Sequence, residues 1–147
     1  MKTVFGIISI LFLLTAIILA FFTILSASPF WAIGYIFYCL IGIFMITYFF
    51  CRKCVDKERC PHVIFGKIAC FFGTPNLEPY SLVESIFTVF GVLLLVVPPQ
   101  FWLISKHSSL LIFWGLIVLA FLLITLNICN RCNHRLCPFC RNKTQTQ

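Results

Sequence analysis

The sequence predicts an all-α membrane protein: four transmembrane helices arranged as two tandem two-helix repeats, each followed by a cytoplasmic, Cys-rich, metal-knuckle-like motif. Three observations carry this. Of the 147 residues 61% are hydrophobic and the mean hydropathy is +1.05, far above the roughly half-apolar composition of a soluble domain. Four stretches, 4–25, 30–50, 82–104 and 110–128, carry no charge except Glu84, and each reaches the ~20 apolar residues that a spanning helix needs. Finally, the second and fourth stretches end alike, in Ile46-Thr47-Tyr48-Phe49-Phe50-Cys51 and Ile124-Thr125-Leu126-Asn127-Ile128-Cys129, which divides the chain into repeats 1–80 and 81–147.

The first stretch, 4–25, has Ser9, Thr15 and Thr23 as its polar groups, all able to bond back to their own helix, and it reads as a plain membrane anchor. Lys2, the apolar run and Ser26-Ala27-Ser28 also resemble a signal peptide. Its apolar run of 22 residues nevertheless exceeds the roughly 7–15 of a signal peptide, so a retained helix is expected. Residues 26–29 form a tight turn with Pro29 suited to a first helical position. In the second stretch, Trp31 and Tyr35 are expected at the membrane interface. Ala32, Gly34 and Gly42 would admit a neighbouring helix, and Cys39 reads as a small packing residue.

Residues 51–80 form a loop too long for a turn. Residues 63–73 within it are too short to span and include Lys67, which suits an interfacial segment or one folded over a metal. Glu84 falls in the first turn of the third helix, where a carboxylate complements the helix dipole. Pro98 and Pro99 remove backbone donors and are expected to stop or kink that helix. Phe101 and Trp102 mark an interface, residues 105–109 form a short loop, and residues 141–147 form a polar tail.

Charge sets the orientation. Ten of the eleven basic residues (Lys2, Arg52, Lys53, Lys57, Arg59, Lys67, Arg131, Arg135, Arg141 and Lys143) fall on one side if the four segments cross in turn, with Lys106 alone on the other. That asymmetry predicts cytoplasmic N- and C-termini and a plasma (inner) membrane location. The net charge of +7 is thereby assigned to lipid head groups of the bilayer, not to nucleic acid.

The chemistry lies in the cysteines. Seven of the nine fall in two segments: Cys51, Cys54 and Cys60 with His62 in the spacing C-x2-C-x5-C-x-H, and Cys129, Cys132, Cys137 and Cys140 in C-x2-C-x4-C-x2-C. A C-x-x-C pair brings two sulfurs onto one turn, and a reducing cytoplasm disfavours structural disulfides. Each set offers the four ligands of a closed tetrahedral zinc site, and Arg52, Lys53, Arg131 and Arg135 would favour the thiolates. The short x4 spacer also admits a site shared between the two halves. Cys132, Cys137 and Cys140 give part of a ferredoxin spacing, so an iron–sulfur cluster is an alternative, as is thiol–disulfide exchange. No Ser/His/Asp set, phosphate loop or carboxylate pair occurs, and no paired charges mark a transport path. The expectation is a non-enzymatic structural or docking module with zinc clusters, serving a membrane or cytoplasmic protein partner, with a membrane redox protein as the alternative.

Overall fold

In hydrocarbon a backbone N–H or C=O finds no water, so an isolated apolar stretch satisfies itself as a helix. The structure, a computed structural model, describes residues 2–53, 68, 71 and 80–128. Its four long helices are α1 (Lys2–Ala27), α2 (Pro29–Met45), α3 (Leu82–Leu103) and α4 (His107–Leu123). α2 and α4 each finish in a five-residue π-helical turn, Ile46–Phe50 and Ile124–Ile128. Four spans of 20 to 24 residues are long and apolar enough to cross a membrane, the architecture of a multi-pass membrane protein.

The helix ends follow local chemistry. Ser28, in extended conformation, caps α2 with Pro29 in its first turn. At the start of α3, Ser81 Oγ accepts from the Val83 N–H and the Glu84 carboxylate accepts from the Ser81 N–H at 2.8 Å. This capping box assigns Glu84 to the helix terminus. Ser9, Thr15 and Thr23 donate to the carbonyls of Gly6, Leu11 and Leu19 at 2.8–2.9 Å, so α1 hides its own hydroxyls. Helix α4 begins three residues earlier than the apolar run suggests: Lys106 caps it and Leu110 N–H already bonds the Lys106 carbonyl.

Helix α3 does not stop at its prolines; it continues through Pro98 and Pro99 to Leu103. Pro99 cannot donate to the Leu95 carbonyl one turn earlier. The Tyr35 hydroxyl of α2 donates to that carbonyl instead, at 3.1 Å. Tyr35 is therefore not an interfacial anchor: it is 2% exposed, inside the bundle. One residue further on, Gln100 Nε2 donates to the Val96 carbonyl while Gln100 Oε1 accepts from Trp114 Nε1 at 3.2 Å, tying α3 to α4.

Packing is inverted relative to a soluble bundle. Buried positions are mostly small, with Ser9, Ala16 and Ala20 of α1, Ala32 of α2 and Ala120 of α4 all at or below 1% exposure, whereas Leu11, Phe22, Phe37, Val89, Phe101 and Leu111 face outward. That is the arrangement expected when lipid covers the outside and helices gain by close approach within. Helix α1, read from sequence as a plain anchor, is central: it packs along α4 and also touches α2 and α3. Helix α2 packs along α3. The two short turns meet at one end of the bundle, through the Trp31 and Trp102 rings at 5.8 Å and Lys106 Nζ donating to Ser26 Oγ.

At Gly42 and Gly91 helices α2 and α3 approach backbone to backbone. A Cβ added at Gly42 would lie 2.7 Å from the Gly91 carbonyl oxygen, and one at Gly91 would lie 2.9 Å from that of Gly42. Gly34 faces nothing within 4 Å, so of the three small residues expected at a helix contact, Ala32 and Gly42 serve and Gly34 does not. Gly42→Ala should destabilise the detergent-solubilised protein by about 1–3 kcal/mol through overpacking. Gly34→Ala should be neutral or stabilising by up to about 1 kcal/mol from helix propensity. Thermal unfolding of both variants, followed by circular dichroism, checks the contrast.

Candidate functional site

Of the eight proposed metal ligands, Cys51 falls among the described residues. Cys54, Cys60, His62, Cys129, Cys132, Cys137 and Cys140 lie outside them, as do residues 63–67, most of 69–79 and the tail. Among the described residues no three of His, Cys, Asp and Glu come together in a metal-holding group. What is visible is how the bundle delivers the chain to the two cysteine segments.

Cys51 stands where α2 gives out. Its backbone N–H bonds the carbonyls of Ile46 and Thr47, closing the π turn, and its side chain is half-buried at the head of a 3-10 turn, Cys51–Lys53. Inside the π turn the buried Thr47 hydroxyl donates to the Ile43 carbonyl at 2.7 Å. The second cysteine segment is preceded by a similar turn: the more exposed Thr125 occupies the same place and bonds the Phe121 carbonyl at 2.9 Å and the Leu122 carbonyl at 3.2 Å. Such hydroxyl bonds compete with the backbone ladder and bend helices, and a one-residue widening of the turn re-aims the chain that follows.

Aromatic rings then fix the end of α2 to the start of α3. Phe49 stacks on Phe87 with centroids 4.8 Å apart, and Phe50 stacks on Tyr80 at 5.3 Å. The Tyr80 hydroxyl donates to the Phe50 carbonyl at 3.2 Å. The two ends of the segment between residues 51 and 80 are thus clasped together. Rings in contact at this separation contribute about 0.5–1.5 kcal/mol beyond burial. The Phe50–Tyr80 clasp carried no sequence signal beyond two aromatic residues thirty positions apart.

Arg52, expected to favour thiolates, is turned back along its own helix. Its guanidinium carbon sits 5.3 Å from the Tyr48 ring centroid, and its Nη1 donates to the Tyr48 hydroxyl at 3.2 Å. The cation is held by an aromatic ring one turn before Cys51. Cys39, by contrast, is a buried residue of the bundle interior, in keeping with a packing role.

The two π turns rest on different partners: Ile46–Phe50 packs against α3, and Ile124–Ile128 packs against α1. The chain therefore enters both cysteine segments at the same end of the bundle, from beside α3 in one case and from beside α1 in the other. α2 and α4 are not packed against one another among the described residues. Their ends stand on opposite sides of the touching α1 and α3 helices.

Tyr80→Ala removes both the stacked ring and the hydroxyl bond. Amide hydrogen exchange at residues 48–52 should then accelerate about fivefold to 150-fold, the range that one aromatic pair plus one hydrogen bond spans. Amides in the middle of α1 should not change, and Tyr80→Phe should fall between.

Comparison with protein-family models, with curated proteins and with solved structures gave no match.

Proposed function

We propose that this protein is a membrane-embedded scaffold whose two cysteine segments each bind one zinc ion, forming a rigid cytoplasmic platform that docks a protein partner or joins a larger membrane complex. The observation that carries it is the matched delivery of the chain to Cys51 and Cys129. Each follows a five-residue π turn of the pattern Ile-Thr-x-x-x, each turn has its threonine hydroxyl bonded one turn back, and each turn packs on the first helix of the opposite half. Exchanging the halves turns the α1/α4 pair into the α3/α2 pair, which supports two tandem repeats about an axis along the membrane normal.

Ligand chemistry supports zinc. Cys51, Cys54, Cys60 and His62 would form one site, and Cys129, Cys132, Cys137 and Cys140 the other. Closed four-ligand sites of thiolate and imidazole leave no open position for substrate, which suits a structural role. The separation of the α2 and α4 ends by the α1/α3 pair favours two sites over one shared between halves. The basic residues flanking both segments favour a cytoplasmic placement.

Protein purified anaerobically without added metal should carry about two zinc ions per chain, one for each set of four ligands, and be colourless. Cys132→Ser should lose about one of them and lower the unfolding temperature. Elemental analysis with an absorption spectrum makes the measurement. Iron with acid-labile sulfide would replace this reading with an electron carrier. Absence of metal, with thiols that oxidise reversibly in pairs, would replace it with disulfide exchange.

A further inference from the structure

Between α2 and α3, in the half of the bundle nearest the short turns, lies a groove of about 680 Å³ whose lining includes Trp31, Tyr38, Phe90, Phe101 and Trp102. That size falls within the ~300–1,000 Å³ of small-molecule sites. Leu94 and Pro98 also line it. Pro98 has no N–H, so the Leu94 carbonyl one turn earlier lacks its helix donor. The adjacent carbonyl, Leu95, is deprived in the same way by Pro99 and is met by the Tyr35 hydroxyl. Of the two proline-freed carbonyls, that of buried Leu95 is covered from α2, and that of Leu94, a residue of the groove lining, has lost its helix donor.

We propose that the groove binds the ring of a membrane quinol, a planar aromatic head bearing hydroxyls on an apolar tail. Its ring stacks among the aromatic side chains, and a ring hydroxyl donates to the Leu94 carbonyl. Depth selects a quinol over a sterol. Leu94 lies eight residues before Trp102, about 12 Å along α3 at 1.5 Å per residue. This acceptor is inside the hydrocarbon, where a quinol ring travels, and not at the tryptophan level, where a sterol hydroxyl sits. The inference is independent of the metal reading, since the groove lies away from the Cys51 end.

The test is equilibrium binding of a radiolabelled short-tailed quinol to the full chain in phosphatidylcholine nanodiscs, held anaerobic. Expected is saturable binding near one per chain, displaced by unlabelled quinol and not by cholesterol. Pro98→Leu returns an N–H to the Leu94 carbonyl and should weaken binding about tenfold, the effect of one hydrogen bond, while the variant melts no lower than wild type. Phe90→Ala changes a lipid-exposed residue and should weaken binding severalfold; it decides the matter alone if Pro98→Leu does not fold. Absence of saturable binding, equal displacement by cholesterol, or unchanged affinity in the variants would overturn the proposal.

Discussion

Two adjacent prolines inside a membrane helix set the problem that the rest of the bundle solves. Pro98 and Pro99 take two N–H groups out of α3 where no water can replace them, and an unsatisfied carbonyl in hydrocarbon costs several kcal/mol. The Tyr35 hydroxyl covers one of the two carbonyls, which requires α2 to run close beside α3. Gly42 and Gly91 make that approach possible by letting the backbones touch. Polar satisfaction and small-residue packing are therefore one device: either glycine enlarged would push Tyr35 away from its acceptor.

The same seam positions the end of α2. Below the Gly42/Gly91 contact, α2 continues into its π turn against α3, and the Phe49/Phe87 and Phe50/Tyr80 stacks hold Cys51 at a defined place beside the start of α3. Above the contact, the aromatic groove lies between the same two helices. The metal platform and the ring site that we propose lie along this one seam, toward its opposite ends. The central placement of α1 between α4, α2 and α3 completes a bundle in which both cysteine segments leave from one face.

Much of this architecture was legible in the sequence because hydrocarbon imposes a simple rule. Uninterrupted apolar runs give the four spans, Pro29 and Glu84 mark helix starts, and the back-bonded hydroxyls of α1 follow from their isolation. Packing partners were less legible, since every face of each helix is apolar and periodicity cannot say which one turns inward. Gly42 announced a close contact, but Gly91, its counterpart, looked like any glycine in a run of Val and Leu. Pro98 and Pro99 signalled a break because nothing in α3 could compensate them; the compensating hydroxyl lay about sixty residues away, on a tyrosine that resembled an interface anchor. At the candidate site, the cysteine spacing was readable and the Ile-Thr repeat pointed to matched helix ends. The aromatic clasp and the turned-back Arg52 were not, because both depend on which helix lies alongside.

The most direct test of the seam is a double-mutant cycle between Tyr35 and Pro99, with unfolding free energy measured in detergent or bicelles. Tyr35→Phe alone should cost about 1 kcal/mol, within the range for hydrogen bonds between membrane helices. In a Pro99→Leu background the restored N–H bonds the Leu95 carbonyl from within α3, so Tyr35→Phe should then cost close to nothing. Equal costs in the two backgrounds would mean that the tyrosine does not answer the proline, and that α2 and α3 are held together for some other reason.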